Sequence, residues 1–229
     1  MDVIRLHDVI KVYREADIET IALRGLDLSI ERGEFVAVMG RSGSGKTTLL
    51  NLIGGADRPT AGEVTVDGIA LHRADEKERE RLRGRSVGLV FQTQNLVPIL
   101  TLEENVRLVA RLADQPSDRQ AANTMLDLVG LRDRAGHRPG ELSGGEQQRA
   151  ALACVLAAAP AVLLADEITG ELDSASSAQV IDLVRHVHES RGVTVVMVTH
   201  DPAVAARAGR IVRLADGRIV SDDAPQVAA

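Results

Sequence analysis

The sequence of 229 residues contains one cysteine, one tyrosine, two phenylalanines and no tryptophan. Because Cys154 has no second thiol in the chain, an internal disulfide is excluded, as is typical of proteins in a reducing compartment. The sequence has no run of about 18 apolar residues, and its first residues lack the basic and then apolar pattern of a signal peptide. We therefore expect a cytoplasmic protein that reaches a membrane only through a partner.

An excess of positive charge is also lacking. The chain has 33 acidic and 27 basic residues, with a net charge of −6, and the two signs are mixed along its length. Tyr13, Phe35 and Phe91 are too few to form a stacking platform, so nucleic acid is not an expected partner. The length is sufficient for a single domain, residues 1–229, that buries roughly 70–75% of its extended surface.

A glycine-rich segment follows the apolar run from Phe35 to Met39 and fits the phosphate-loop pattern G-x-x-x-x-G-K-[ST]. Its glycines allow successive backbone NH groups to face one anion, and the helix that follows adds a positive N-terminal end. Lys46 is placed for the β- and γ-phosphates and the Thr47 hydroxyl for Mg²⁺. The alternative is a plain turn between a strand and a helix. The predicted nucleotide-binding residues here are Gly40, Arg41, Ser42, Gly43, Ser44, Gly45, Lys46, Thr47 and Thr48.

Short alternating stretches in residues 1–30 predict strands of a small antiparallel sheet. Tyr13 lies on one of them, where its ring would either stack on a nucleotide base or be an ordinary strand tyrosine. Hairpins are predicted at Asp67-Gly68 and Asp216-Gly217, and a charged, solvated helix over 74–85. Residues 222–229 are predicted to be a frayed tail.

From Thr101 to about Pro160 the pattern becomes helical. Segments beginning at Thr101, Ser117 and Ser143 each match S/T-x-x-E/Q, the reciprocal cap of a helix start, and Gly130 and Pro160 are the matching stops. We interpret residues from about 93 to 160 as a helical subdomain inserted into a core formed by 1–92 and 161–229.

Four apolar strands are followed by polar groups: the phosphate loop, Gln92, Asp166-Glu167 and His200. In parallel sheets ligands bind beyond the carboxyl ends of the strands, so these groups are expected to meet at one site. There Asp166 would hold Mg²⁺ through water, and Glu167 would accept a proton from, or orient, the attacking water. Gln92 and His200 would complete the polar ring. Taken singly, the two acids could be a loop-edge pair and His200 a capping residue.

A second anion site is predicted where Ser143, Gly144 and Gly145 open a helix. This segment lies in the helical part, away from the phosphate loop. A two-fold dimer would resolve the separation, because each Ser143 helix end would then face the γ-phosphate bound by the other subunit. We therefore hypothesise two ATP sites, each incomplete in one chain.

Together these motifs resemble the nucleotide-binding domain of ABC transporters over essentially the whole chain. They are the loop 40–47, Gln92, the signature LSGGEQQR at 142–149, LLADE at 163–167, Leu172-Asp173 and Thr199-His200. The resemblance implies an α/β fold: a P-loop NTPase core with a mainly parallel sheet, a small N-terminal antiparallel β subdomain and an inserted α-helical subdomain.

The resemblance also implies the roles of individual residues. Tyr13 is implied to stack on adenine, and Gln92 to contact Mg²⁺ and water. Ser143 and Gly145 are implied to contact the γ-phosphate in the partner's site. General-base duty is implied for Glu167, subunit communication for Asp173 and γ-phosphate sensing for His200. ATP and Mg²⁺ are the implied ligands.

Within the family, residues 14–20 and the stretch 91–98 look like the lipoprotein-releasing and macrolide-exporter branch. This implies an ATP-hydrolysing motor that forms a homodimer and docks near Leu96 to Leu102 on a membrane permease, on the inner face of the membrane. The alternative is a regulatory ATPase that acts with a membrane partner on cell-wall enzymes without transport. A soluble ABC ATPase of DNA repair or translation is disfavoured, since the chain has no room for a coiled coil or second cassette.

Three residues depart from the family pattern: Ile168 stands for the usual proline, Glu171 for asparagine and Cys154 for arginine. All three are predicted near the dimer seam or the helix that supports it, where they would affect coupling and rate more than ATP binding. Cys154 is interpreted as a small buried apolar residue.

Overall fold

The computed structural model describes residues 1–15, 18–93 and 95–223. The strands are β1 (Asp2–Glu15), β2 (Ile18–Glu31), β3 (Phe35–Met39), β4 (Ala61–Val66), β5 (Ile69–Ala70), β6 (Val87–Val90), β7 (Val162–Asp166), β8 (Thr194–Thr199), β9 (Arg210–Ala215) and β10 (Arg218–Asp223). The α-helices are α1 (Lys46–Ile53), α2 (Glu76–Arg85), α3 (Leu102–Leu112), α4 (Arg119–Leu128), α5 (Gly144–Ala157), α6 (Ser174–Arg191) and α7 (Pro202–Ala205). Within this described part of the chain, no helix is both long and apolar enough to traverse a bilayer.

The central sheet has six strands in the order β10-β9-β3-β8-β7-β6. β3 is parallel to both neighbours, with Val36 opposite Val196 of β8 and Arg210 of β9. β7 is parallel to β8 and to β6, whereas β10 returns antiparallel to β9 after the turn at Asp216 and Gly217. Because β3, β7 and β8 are covered on both faces, their sequences are continuous apolar runs. The predicted α/β fold with a mainly parallel sheet is confirmed.

The second sheet is antiparallel, in the order β2-β1-β4-β5. The prediction of several short strands in residues 1–30 was wrong in detail, because β1 and β2 are single strands of 14 residues each. The register between them shifts between Leu6 and Val9, where Asp8 has a φ of 46°. Such bulges interrupt the period-two alternation, so one bent strand looks like separate short ones. In the insertion predicted over 14–20, Arg14 pairs with Glu19 and Glu15 with Ile18, and residues 16 and 17 lie outside the described residues.

Two of the three predicted helix caps are confirmed. The Thr101 hydroxyl accepts the Glu104 NH at 3.2 Å, and the Glu104 carboxylate accepts the Thr101 NH at 2.8 Å. Ser143 and Glu146 form the same reciprocal pair at the start of α5. These bonds satisfy backbone donors that a helix start leaves free, which is why the chain turns helical at these points.

The third predicted cap was wrong by one residue. The cap of α4 is Asp118 and not Ser117, and its carboxylate accepts the Ala121 NH at 2.8 Å. An aspartate oxygen reaches the third NH of the helix as well as a serine hydroxyl does, so the match at Ser117 was coincidental. Gly130 follows the end of α4 with a φ of 69°, as predicted for a stop.

The other two corrections concern charged segments. The predicted helix over 74–85 is α2, capped by Asp75, but it is not wholly solvated because Arg79 and Leu82 are buried. The predicted tail includes Asp222, which is paired in β10 and accepts two hydrogen bonds from the Arg210 guanidinium, each at 2.7 Å. This two-pronged ion pair extends the last strand to Asp223. The remainder of the predicted tail, 224–229, lies outside the described residues.

The core is divided by the central sheet. On one face of β3, Val36 and Val38 pack in a cluster with α1 and the antiparallel sheet. On the other face, Phe35 and Ala37 pack with α6 and α7. A third cluster joins α3, α4 and α5. The alternation of β3 side chains between two clusters holds the end of this strand, and therefore the loop after it, between two packed layers.

Two glycines offer a matched test of this packing. A Cβ on Gly88 of β6 would overlap Val155 of α5, whereas a Cβ on Gly84 of α2 would meet no atom within 4 Å. We expect Gly88→Ala to lower the free energy of unfolding by about 1–3 kcal/mol through overpacking. Gly84→Ala should instead raise it by about 0.5–1 kcal/mol, because alanine favours a helix. Urea unfolding would measure both, and a Gly88→Ala protein as stable as its parent would contradict this packing.

Candidate functional site

The four polar groups predicted to meet do follow neighbouring strands. In the sheet order, β3, β8, β7 and β6 are adjacent and mutually parallel, so their carboxyl ends lie at one edge. The phosphate loop follows β3 and His200 follows β8. Asp166 ends β7, with Glu167 next, and Gln92 comes after β6. The candidate site is therefore formed by the residues that follow these four strands at one edge of the sheet.

The phosphate loop has a backbone that only glycine fits at two positions. Gly45 has a φ of 103°, and a Cβ there would lie 2.6 Å from the Ala22 carbonyl oxygen. A Cβ on Gly40 would overlap the Leu214 carbonyl oxygen and the Ser44 hydroxyl. The chain thus passes close to β2 and β9 while curling into the start of α1.

The interior of this loop is polar and suited to an anion. Lys46 is buried, and its Nζ donates to the carbonyl oxygens of Gly40 at 2.8 Å and Arg41 at 3.0 Å. The Ser44 Oγ is buried with no hydrogen-bond partner among the described residues. Gly43 has open space where a Cβ would stand. A lysine resting on its own loop and an unpaired buried hydroxyl fit a site built for phosphate oxygens.

The carboxyl of Asp166 lies beside the same loop. Burial raises the pKa of Asp166 above its ordinary value, and the charge of Glu167 raises it further, while Lys46 and a hydrogen bond with Thr47 act in the opposite direction. A divalent cation would favour the ionised form. No cluster of three or more His, Cys, Asp or Glu side chains suited to a metal was found in the described ranges. One carboxylate with a hydroxyl fits Mg²⁺, which keeps waters and phosphate oxygens as most of its ligands.

Glu167 and His200 are in contact. The Nδ1 of His200 lies 3.4 Å from Oε2 of Glu167. Glu167 has a φ of 48°, and its NH donates to the Val198 carbonyl at 3.1 Å, which fixes the glutamate against the end of β8. The His200 side chain is 67% exposed. The two side chains therefore share the rim of the site, where a water and a phosphate have access.

Gln92 faces a different neighbour. A Cβ on Gly170, in the segment after β7, would lie 3.0 Å from the Gln92 Nε2. Just before it, the Phe91 carbonyl accepts a hydrogen bond of 2.9 Å from the buried amide of Gln148 in α5. Sequence reasoning placed Gln148 in the signature but did not predict this contact, which connects the signature helix to the residue preceding Gln92.

The signature segment is held within the helical part of the chain. The Ser143 hydroxyl donates to the Glu146 carboxylate at 2.9 Å, and a Cβ on Gly145 would lie 3.0 Å from Ser176 of α6. Asp173 caps α6 and accepts the Ser176 NH at 3.0 Å, and this bond lowers the pKa of Asp173. In the described part of the chain, no hydrogen bond joins 142–145 to the phosphate loop. One chain thus does not bring these two predicted anion sites together.

Tyr13 projects beside α1. Its hydroxyl donates to the Asp57 Oδ2 at 3.0 Å, and the residue is 37% exposed. Its stacking on adenine stays a prediction. Sequence reasoning missed Asp57, since no pattern distinguishes this aspartate in a short polar loop from any other.

The three departures from the family pattern occupy different environments. Ile168 is buried in the cluster under α6, whereas Glu171 is exposed. Cys154 is buried among α3, α4 and α5, and burial raises the pKa of its thiol to about 12. The interpretation of Cys154 as an inert, small apolar residue agrees with this environment.

Residues 23–170 match the family model described as ABC transporter. The lipoprotein-releasing system ATP-binding protein LolD of Anaeromyxobacter dehalogenans is 46% identical over 222 residues, covering 96% of this chain and 93% of that protein. The macrolide export ATP-binding/permease protein MacB of Syntrophobacter fumaroxidans is 44% identical over 236 residues, covering 99% of this chain and 33% of that protein. The chain thus spans about a third of the macrolide export relatives that it matches.

Solved structures agree with the sequence relatives. An ATP-binding cassette solved as a dimer in a post-hydrolysis state, bound to ADP and Pi, superposes with a TM-score of 0.90 at 39% identity, covering 98% of this chain and 100% of that one. A cassette from a Clostridium perfringens ABC transporter complex gives 0.87 at 27% identity, covering 98% and 89%. The resemblance and the branch predicted from the motifs are confirmed, and the chain belongs to the ABC transporter family.

Proposed function

We propose that this protein binds and hydrolyses ATP as the motor subunit of a transporter. The observation that carries the proposal is the adjacency of four strand ends: the phosphate loop, His200, Asp166-Glu167 and Gln92. Lys46 and the backbone NH groups of 40–48 bind the phosphates, and Tyr13 stacks on the base. Glu167 orients or deprotonates the attacking water, and His200, 3.4 Å from it, contacts the γ-phosphate.

Mg²⁺ is the second proposed ligand, held by Thr47, Asp166 and Gln92. Bound there, it would neutralise charge on the β- and γ-phosphates. The raised pKa of Asp166 supports this assignment, because a carboxyl that burial makes costly to ionise is stabilised by a nearby cation. Thr47 acts on the same carboxyl, because its side chain lowers the pKa of Asp166.

The functional unit we propose is a homodimer. Ser143, Gly144 and Gly145 of one copy close over the ATP bound by the other, and Asp173 communicates between the sites. One neighbouring cassette was solved twice as a dimer, which supports the proposal. In an isologous dimer the two copies are related by a two-fold axis, so each ATP site has the phosphate loop of one copy and the signature segment of the other. We also propose that residues from about 93 to 160 act as the helical subdomain, with 1–92 and 161–229 as the core.

The proposed partner is an integral membrane permease, which would hold the protein at the inner face of the membrane. The relatives above are named for macrolide export and lipoprotein release, which favours transport over the regulatory alternative without transport. The signs of charge are mixed, so no nucleic acid is proposed as a partner.

We propose residues 97–100, the segment before α3, as the docking segment. Ile99 is 76% exposed and Val97 is partly exposed, whereas Leu102 is buried and contributes only to the helical core. Asn105 holds the segment from beneath: its amide accepts the Val97 NH at 2.7 Å and donates to the Leu100 carbonyl at 3.2 Å. Apolar side chains on a fixed segment suit a hydrophobic groove of a partner. Residue 94, in the stretch 91–98 that indicated the branch, lies outside the described residues.

The proposal is tested by phosphate release from Mg·ATP by the purified protein and by its co-purification with an integral membrane permease from its own cells. We expect hydrolysis that Lys46→Ala reduces by on the order of 10²-fold or more, because the lysine stabilises the transferred phosphoryl group. Ile99→Asp should abolish co-purification with the permease while leaving hydrolysis in solution intact. A parent protein that neither binds nor hydrolyses ATP would refute the function, and an Ile99→Asp protein that still assembles would refute the docking segment.

A further inference from the structure

The side chains of Lys11 and Tyr13 meet at the carboxylate of Asp57, and neither Lys11 nor Asp57 belongs to a predicted motif. Lys11 and Tyr13 are two residues apart on β1, and both side chains reach the same carboxylate. Asp57 comes from the loop between α1 and β4. Its Oδ1 accepts the Lys11 Nζ at 2.6 Å, and its Oδ2 accepts the Tyr13 hydroxyl at 3.0 Å. One carboxylate therefore binds both β1 side chains.

Asp57 is itself anchored to the helix that carries the phosphate loop. Its NH donates to the Asn51 carbonyl of α1 at 3.2 Å, and its Oδ1 also accepts the Arg58 NH at 2.6 Å. The Lys11 Nζ adds a bond of 2.9 Å to the Arg58 carbonyl. Because α1 begins at Lys46, the position of the tyrosine is coupled to the element that orients the phosphate-binding groups.

The side chains of this network are partly buried, which strengthens the hydrogen bonds between them. The Lys11 side chain is 12% exposed and that of Asp57 28%. Burial alone would raise the pKa of Asp57, but hydrogen bonds from Lys11, the Arg58 NH and Tyr13 outweigh it and lower the pKa. Charge-assisted bonds in such partly buried surroundings hold their geometry better than exposed ion pairs do.

The network also places a cation over one face of the ring. The Lys11 Nζ lies 4.8 Å from the centroid of the Tyr13 ring, within the range of a cation–π contact. The ammonium therefore covers one face, while the tyrosine as a whole remains partly exposed. A planar base would approach the opposite face.

We propose that Asp57 is a positioning residue for the nucleotide: it fixes the Tyr13 ring, backed by Lys11, so that the free face receives the base while α1 binds the phosphates. The inference rests on the proposed function. A tyrosine has two side-chain torsions, and a bond at its far end restricts both before the ligand arrives. Less ordering is then required on binding, which increases affinity without adding a contact to ATP.

The binding experiment compares Asp57→Ala, Asp57→Asn and Tyr13→Phe for Mg·ATP by calorimetry. Asp57→Ala and Tyr13→Phe should each weaken affinity by about threefold to tenfold, through loss of preorganisation. Asp57→Asn, which keeps an acceptor for the phenol, should lose less. The double variant Tyr13→Phe/Asp57→Ala should be no weaker than Asp57→Ala alone, because both changes remove one contact.

A matched control and a ligand without a base separate positioning from general support. Asp67 accepts a charge-assisted bond from Arg32 at 2.6 Å in a turn outside the site, so Asp67→Asn should bind ATP like the parent. Inorganic tripolyphosphate should bind the parent and Asp57→Ala equally. If Asp57→Ala weakens both ligands alike, Asp57 only supports the loop and the inference is overturned.

Tyr13 is the sole tyrosine in a chain without tryptophan, so ultraviolet emission reports its ring alone. Asp57→Ala should brighten this emission, because a phenol bonded to a carboxylate transfers its proton on excitation and is quenched. Should Asp57→Ala fail to fold, as judged by circular dichroism, then Asp57→Asn and Tyr13→Phe decide, and additive losses would refute the inference. A parent that binds no ATP would instead refute the proposed function and this inference with it.

Discussion

Glu167→Gln is expected to lower the rate of ATP hydrolysis by on the order of 10²–10⁴-fold while leaving ATP affinity nearly unchanged. The amide has the size of the carboxylate but does not accept a proton from water, and the phosphate loop is untouched. Because the proposed dimer is held together by ATP, the variant should accumulate as an ATP-bound dimer. Phosphate release measures the rate, and size-exclusion chromatography with and without Mg·ATP measures the dimer.

Glu189→Gln is the matched control for this experiment. Glu189 is exposed on α6 and paired with Arg185 at 2.7 Å, so the same chemical change occurs away from the sheet edge. We expect the control to hydrolyse ATP at the parent rate and to show no extra dimer. Parent-like turnover in Glu167→Gln would remove this glutamate from its proposed role, whereas loss of ATP binding would mean that it supports the loop instead.

The second large effect is the recovery of activity from two inactive proteins. Lys46→Ala disables the phosphate loop, and Gly145→Asp places a negative charge at the helix end proposed to face the partner's γ-phosphate. Mixed one to one, random pairing gives heterodimers in about half of the dimers, each with one intact composite site. About a quarter of the parent rate should therefore return if each site works independently, as phosphate release would show.

The control mixture is Lys46→Ala with Glu167→Gln. Both residues are contributed to a site by the same subunit, so no pairing restores an intact site and no activity should return. Since a side chain at Gly145 approaches Ser176 within its own chain, a thermal melt must show that Gly145→Asp is folded, and Ser143→Ala serves as a second variant. Undiminished turnover by a strictly monomeric parent would contradict the composite site.

The phosphate loop was predictable because phosphate binding depends on the conformation of a few consecutive residues. Gly45 must be glycine at a φ of 103°, and Lys46 must follow it to face the same cavity. The convergence of Gln92, Asp166 and His200 was predictable for a related reason: apolar runs indicate parallel strands, whose ends share one edge. Both inferences depend on patterns a few residues long.

What could not be predicted depends on tertiary contacts. The bond between Tyr13 and Asp57 joins residues 44 apart in the sequence, and that between Gln148 and Phe91 joins residues 57 apart. Asp57 has no distinctive neighbourhood in the sequence, and the signature that contains Gln148 does not indicate which distant backbone group its amide bonds. The bulge near Asp8 was missed because one inserted residue shifts the alternation without leaving a turn signal.

Asn105 has a consequence for how the protein meets its partner. The Oδ1 of Asn105 accepts the Val97 NH and its Nδ2 donates to the carbonyls of Val97, Leu100 and Thr101, so these four bonds order the surface around Ile99 in the chain alone. Little conformational entropy would then be lost when the proposed permease binds, and the segment would keep its conformation when the partner moves against it. In the proposed complex, a displacement of this segment would be passed to α3, which packs against α5, whose Gln148 is bonded to the residue before Gln92.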